Sequence, residues 1–125
     1  MMQHLSVVIA QKDQAAASQL ATTLRGRFRH VAVAHSSTEI HDAILKNRAN
    51  AAIVDLELLK SDDFRQLCQE FDHTAIVATH RSPDEKMWMA CLENGAADCC
   101  QRTDVEGMLR AIANNVALTR AASAA

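Results

Sequence analysis

Five short apolar runs alternate along the chain with five stretches whose apolar residues recur at helical spacing. Leu5-Ser6-Val7-Val8-Ile9-Ala10 is nearly continuous and rich in β-branched residues, and Val31-Ala32-Val33-Ala34 is a weaker second run. Ala51-Ala52-Ile53-Val54 forms the third and ends at Asp55; Ala75-Ile76-Val77-Ala78-Thr79 forms the fourth; Ala97-Asp98-Cys99-Cys100-Gln101 forms the fifth. Runs of this length without polar alternation suit strands covered on both faces, as in a parallel sheet between helical layers.

The intervening segments predict helices. Asp13 to about Arg25 carries Ala16, Leu20 and Leu24 at four-residue steps. Ser37 or Thr38 can cap a second helix whose inner face holds Ile40 and Ile44. Asp62 or Asp63 opens a third, with Phe64, Leu67, Cys68 and Phe71 inward. Ser82-Pro83-Asp84-Glu85 has a capping serine, a proline for the first helical position and acids for the first turn, and the helix should stop at Gly95. Thr103 or Asp104 caps the fifth, with Val105, Met108, Leu109, Ile112 and Val116 as its stripe.

Five β-α repeats predict an α/β fold, with a five-stranded parallel sheet covered by helices on both faces. A chain of 125 residues suits one domain, expected over residues 1–120, with 121–125 as a tail or the start of a linker. Working residues in such folds lie beyond the carboxyl ends of the strands. Those ends carry Gln11, Lys12 and Asp13 after the first strand, Asp55 to Glu57 after the third, Thr79 and His80 after the fourth, and Arg102 and Thr103 after the fifth.

Composition removes several function classes. A net charge of −2 without a basic run speaks against direct nucleic-acid binding. No apolar run approaches the roughly 18 residues of a membrane span, and the N-terminus lacks the pattern of a secretory signal, so a cytoplasmic location is expected. Cys68, Cys91, Cys99 and Cys100 match no zinc spacing and sit in apolar contexts, as small buried hydrophobes. The histidines show no ligand spacing within one element; all except His80 read as surface residues. Trp88 reads as core packing or as an exposed anchor. No G-x-S-x-G supports a hydrolase. Gln11-Lys12-Asp13-Gln14 contains no glycine for a phosphate loop, which disfavours a flavodoxin-like module that binds a small molecule.

The segment Asp55-Leu56-Glu57-Leu58-Leu59-Lys60-Ser61-Asp62-Asp63-Phe64-Arg65-Gln66-Leu67-Cys68 resembles the D-L-x-M-P-x-x-x-G-F-x-L-C stretch of response-regulator receiver domains. Leu92-Glu93-Asn94-Gly95-Ala96-Ala97-Asp98 is similar to the family's L-E-x-G-A-x-D. The resemblance covers essentially the whole chain. It implies a flavodoxin-like (βα)5 three-layer sandwich with strand order 2-1-3-4-5, and a CheY-like module of two-component phosphorelay signalling, not itself an enzyme, with Asp55 at the phosphoacceptor position. In the family two acids after the first strand bind Mg2+, a hydroxyl after the fourth strand and a lysine after the fifth contact the phosphoryl group. Here the acid positions fall on Gln11 and Lys12, and Arg102 stands at the lysine position. Thr79 or His80 fills the hydroxyl position: the strand pattern favours the first, the distance from Gly95 the second. Cys99 replaces an aromatic residue of the fifth strand.

These departures imply an atypical pseudo-receiver that acts through protein contacts. No cofactor is expected, and Asp13, Asp55 and Glu57 are only weak metal candidates. Asp55, Lys12 and Arg102 sum to +1, and Glu57, read as more exposed than functional, brings the sum to zero. Unit charges about 4 Å apart interact by roughly 4 kcal/mol at an effective dielectric near 20, so Lys12 or Arg102 is expected to pair with Asp55. The resemblance implies partners such as a sensor histidine kinase, an output domain or a second copy. The expected face comprises the fourth helix, fifth strand and fifth helix, near Met87, Trp88, Cys91 and Gly107 to Arg110. The alternative keeps phosphorylation of Asp55, and with it Mg2+.

Overall fold

The computed structural model describes residues 2–124, with side chains through residue 116. Five strands, β1 (Ser6–Ala10), β2 (His30–Val33), β3 (Ala51–Asp55), β4 (Ala75–His80) and β5 (Asp98–Gln101), form one parallel sheet in the order β2-β1-β3-β4-β5. Between and after them lie α1 (Gln14–Arg25), α2 (Ser37–Asn47), α3 (Ser61–Glu70), α4 (Glu85–Glu93) and α5 (Val105–Ala124). A single 3-10 turn, Leu56–Leu58, follows β3. The expected fold and strand order are therefore observed. The backbone of α5 continues through most of the stretch read as a tail, and Ala125 lies outside the described residues.

The sheet divides the interior into two cores. Val7, Ile9, Ala51, Ile53, Ala75, Val77 and Cys100 face one side, where Leu20 and Leu24 of α1 and Met108 and Ile112 of α5 cover them. Val8, Ala10, Ala52, Val54, Ile76, Ala78 and Cys99 face the other, beneath Ile40 and Ile44 of α2, Phe64 and Leu67 of α3, and Cys91 of α4. Each fully buried aliphatic side chain contributes roughly 1.5–3 kcal/mol relative to exposure. The alternation also sets direction at the strand ends. Continued along each strand, the first face leads to Gln11, Asp55, Thr79 and Arg102.

Helix starts differ from expectation where a better cap lies one or two residues away. Ser36 caps α2: its hydroxyl accepts from Glu39 N at 3.2 Å, and Glu39 Oε1 accepts from His35 N at 3.1 Å. Those bonds make Ser36-Ser37-Thr38-Glu39 a variant capping box, superseding Ser37 and Thr38 as caps. Asp84, rather than Ser82, caps α4 by accepting from Met87 N at 2.7 Å. The helix therefore begins two residues beyond Pro83. Lys60 precedes α3 without a side-chain cap, and Asp62 and Asp63 lie within the first turn. Asp104 caps α5 through Gly107 N at 3.0 Å. A Cβ at position 107 would collide with that capping carboxylate, so the close approach requires glycine. Gly95 ends α4 with φ +105°, in the left-handed region, as its place in the sequence predicts.

The four cysteines are free and buried. Burial pushes the Cys68 thiol up to about 11. Cys100 is pushed up to about 12, by burial first and then by Asp98 and Asp104. Thiols held this firmly in the neutral form pack as apolar groups.

His41 does more than a surface residue. Its Nε2 lies 2.7 Å from Glu70 Oε2, and its ring meets Phe71 edge-on at 5.3 Å, tying α2 to the end of α3. The hydrogen bond to Glu70 raises the imidazole above its usual 6.5, against a smaller opposing effect of burial. A raised folded-state value stabilises the fold fully below 6.5, and the contribution disappears as pH rises through that value. Glu70→Gln is therefore expected to lower stability in urea at pH 6 and to match the parent at pH 8. An equal deficit at both pH values would refute the clamp.

Candidate functional site

The strand ends converge on a buried carboxylate. Asp55 is the last residue of β3 and is fully buried. Taking an ionised carboxylate from water costs several kcal/mol unless its oxygens are satisfied. Backbone supplies the first partners: Lys12 N donates to Oδ2 at 3.1 Å, and Glu57 N donates to Oδ1 at 3.1 Å. The second bond arises because the 3-10 turn after β3 folds the chain back over the aspartate.

Arg102 supplies the charge. Its Nη2 lies 3.2 Å from Asp55 Oδ1, 3.1 Å from Oδ2 and 3.0 Å from Glu57 Oε1. One nitrogen thus touches three carboxylate oxygens, while the buried Nε has no hydrogen-bond partner. A guanidinium ordinarily meets a carboxylate with two parallel N–H bonds. Here it presents a single corner, closer to a point charge in its action. Burial alone would push the Arg102 guanidinium down. Hydrogen bonds and attraction from Asp55 and then Glu57 outweigh that and hold it above its ordinary value.

Glu57 is a member of the cluster, not an outlying surface acid. Its side chain is 24 % exposed. Besides Arg102 it accepts from Arg81 at 3.3 Å, and His80 Nε2 approaches to 3.9 Å. Bonds from Arg102, then Arg81, hold its carboxyl below the usual range. The charge sum expected from sequence, zero, is reached with different groups: Asp55 and Glu57 against Arg102 and Arg81. The Lys12 side chain is exposed, and the lysine serves through its backbone instead. Strand alternation explains the choice. Lys12 follows the parity of Val8 and Ala10, whereas Arg102 follows Cys100 on the Asp55 side.

The register pairs Asp55 with Thr79, so the threonine stands beside the aspartate. His80 lies one residue further, and its Nδ1 accepts from Ser82 N at 3.0 Å. Gln11 is buried, and its Nε2 donates to the Thr79 hydroxyl at 3.0 Å. The two acid-position residues therefore part: Gln11 closes the inside of the site and Lys12 turns outward. Asp13 is exposed and caps α1 through Ala15 N at 3.0 Å. Arg81 is the member that sequence reasoning missed. Its place two residues beyond Thr79, on the rim shared with Glu57, was the available signal.

No protein-family model matches the sequence, and no curated protein matches it. Solved structures do. A response regulator receiver domain protein from Clostridium thermocellum matches 93 % of this chain and 97 % of its own, with TM-score 0.79 and 17 % identity. The beryllofluoride-activated receiver domain of Klebsiella pneumoniae RstA matches 85 % and 92 %, with TM-score 0.72 and 19 % identity. The beryllofluoride-activated NtrC4 receiver domain dimer matches 91 % and 98 %, with TM-score 0.77 and 13 % identity. The chain has the fold of response-regulator receiver domains.

The Gln11–Thr79 bond yields a direct check. Thr79→Val keeps the shape but leaves a buried amide N–H2 without its acceptor, at a cost of about 1–3 kcal/mol. Urea denaturation should show that loss, and Gln11→Met combined with Thr79→Val should cost less than the two changes summed. Strict additivity would mean the two side chains act independently.

Proposed function

We propose that this domain is a pseudo-receiver: a two-component signalling module that works by binding other proteins, with a side-chain cation in place of a metal-dependent phosphoryl switch. The observation that carries the reading is Arg102 Nη2, within 3.2 Å of both Asp55 oxygens and 3.0 Å from Glu57. A divalent ion seated against Asp55 would have to compete with that guanidinium for the same oxygens.

The donor set argues the same way. Magnesium favours a compact octahedron of oxygens with carboxylates among them. Of the two acid positions, one is a buried amide committed to Thr79 and the other an exposed lysine. Asp55 and Glu57 already share two guanidinium groups. The residues present do not fit the ion.

The contact surface proposed is the face of α4, β5 and α5. On α4, Trp88 and Met89 are 43 % and 49 % exposed. Trp88 Nε1 donates to Asp98 Oδ1 at 2.8 Å, which ties the partly exposed indole to the start of β5. Tryptophan with a satisfied N–H and a bare ring is a frequent centre of binding energy. Asp98, Gly107 and Arg110 line a shallow depression beside it. The NtrC4 receiver matched above is a dimer, and a second copy is one occupant for this face; a kinase or output domain is another. Among the described residues no helix is long and apolar enough to cross a membrane.

The test treats the protein with acetyl phosphate and Mg2+ and records intact mass, alongside an NMR titration with Mg2+. The expected result is no phosphoryl adduct and no saturable shift at Asp55 up to about 10 mM, a range set by ordinary weak binding. An adduct that disappears in Asp55→Asn would overturn the proposal in favour of a working phosphoacceptor.

A further inference from the structure

The pole of the sheet opposite Asp55 has a different character. Three segments distant in sequence meet there: the start of β1, the α1–β2 connection and the α2–β3 connection. Between them lies a cleft of about 560 Å3 lined by His4, Ser6, Arg29, His30, Asn47, Arg48 and Asn50. The lining contains no acid. The chain around it has none either between Gln14 and Thr38 or between Ala43 and Val54, although the net charge of the whole protein is −2.

Backbone bonds fix the walls of the cleft, and its two arginines stand exposed at the rim. Arg29 N donates to Leu5 O at 2.9 Å, which fixes that arginine's backbone against the entry to β1. Asn50 is held on three sides: its N–H donates to Ser6 O at 2.8 Å, its carbonyl accepts from Ala75 N at 2.9 Å, and its Oδ1 accepts from Ser6 N at 2.9 Å. With Oδ1 committed, the donating end of that amide is left for another group. The Ser6 hydroxyl oxygen is buried and has no hydrogen-bond partner. Arg48 occupies the left-handed C-cap of α2, with φ 48° and ψ 51°. Glycine or asparagine normally takes that place, because other side chains are strained there. An arginine held there in spite of the strain suits a position whose side chain is used.

We infer that this cleft binds a phosphorylated small molecule. Guanidinium groups match phosphate oxygens with paired N–H donors, and an amide N–H2 and a hydroxyl add neutral donors. The volume falls within the range of small-ligand sites and exceeds what one inorganic phosphate fills. The absence of carboxylates from the lining removes the repulsion that would oppose an anion of charge −2 or more. The site is independent of the Asp55–Arg102 cluster at the other end of the sheet, so it stands or falls apart from the pseudo-receiver reading.

The experiment is an NMR titration of the 15N-labelled protein with pyrophosphate, orthophosphate and ADP, without metal, at fixed ionic strength. Pyrophosphate and ADP are expected to shift Ser6, Arg29, Arg48 and Asn50 saturably at or below about 1 mM, with orthophosphate roughly tenfold weaker. Arg48→Gly removes a charge while giving the left-handed position the residue it favours, so its fold is secure. Combined with Arg29→Gln it is expected to weaken pyrophosphate binding by about tenfold or more. Shifts that scale with sodium chloride alone, shifts centred on Asp55, or unchanged binding by the double variant would each overturn the inference. So would association of the protein with phosphatidylglycerol vesicles in the absence of any pyrophosphate effect, since the phosphate recognised would then be a lipid headgroup.

Discussion

A carboxylate at the end of a central strand, with no exposure to solvent, has to be neutralised by something. That requirement governs the upper end of this molecule. Asp55 receives two backbone N–H groups, from Lys12 and Glu57, and one guanidinium nitrogen, from Arg102. The backbone donors follow from topology, because β1 and the 3-10 turn pass beside the end of β3. The guanidinium follows from one residue choice at the end of β5. Losing one partner of such a buried pair typically costs about 3–5 kcal/mol, more than any exposed ion pair in the structure would contribute.

The consequences spread along the rim. Because Arg102 also binds Glu57, the turn after β3 is tied to β5; because Glu57 binds Arg81, the connection after β4 is tied in as well. Gln11 engages the Thr79 hydroxyl and links the end of β1 to that of β4. The ends of four strands are thus cross-braced by side chains. In the proposed function this bracing leaves the α4–β5–α5 face in one state, available for a partner, with no bound phosphoryl group needed to select it.

Much of this was legible in the sequence, for identifiable reasons. Strands buried on both faces leave unbroken apolar runs, and helices leave a stripe, so the order of elements and Asp55 at a strand end could be read directly. Arg102 was legible as a partner for Asp55, but Lys12 was an equal candidate. Distinguishing them required following the alternation of each strand past its last apolar residue. Glu57 reads from sequence as exposed, whereas the 3-10 turn after β3 places its carboxylate against Arg102. The Ser36-Ser37-Thr38-Glu39 capping box is readable in the sequence, although Ser37 and Thr38 stand nearer the apolar stripe of α2. The basic cleft had no local signature, since its arginines come from separate connections and only the fold assembles them.

Asp55 and Arg102 act as a coupled pair, and a double-mutant cycle measures that coupling most directly. Asp55→Asn, Arg102→Gln and their combination would be compared by urea denaturation at pH 7. The double variant is expected to recover stability relative to the sum of the singles, with a coupling of about 0.5–3 kcal/mol, the range for residues in direct contact. Additivity within about 0.3–0.5 kcal/mol, the behaviour of independent sites, would contradict it.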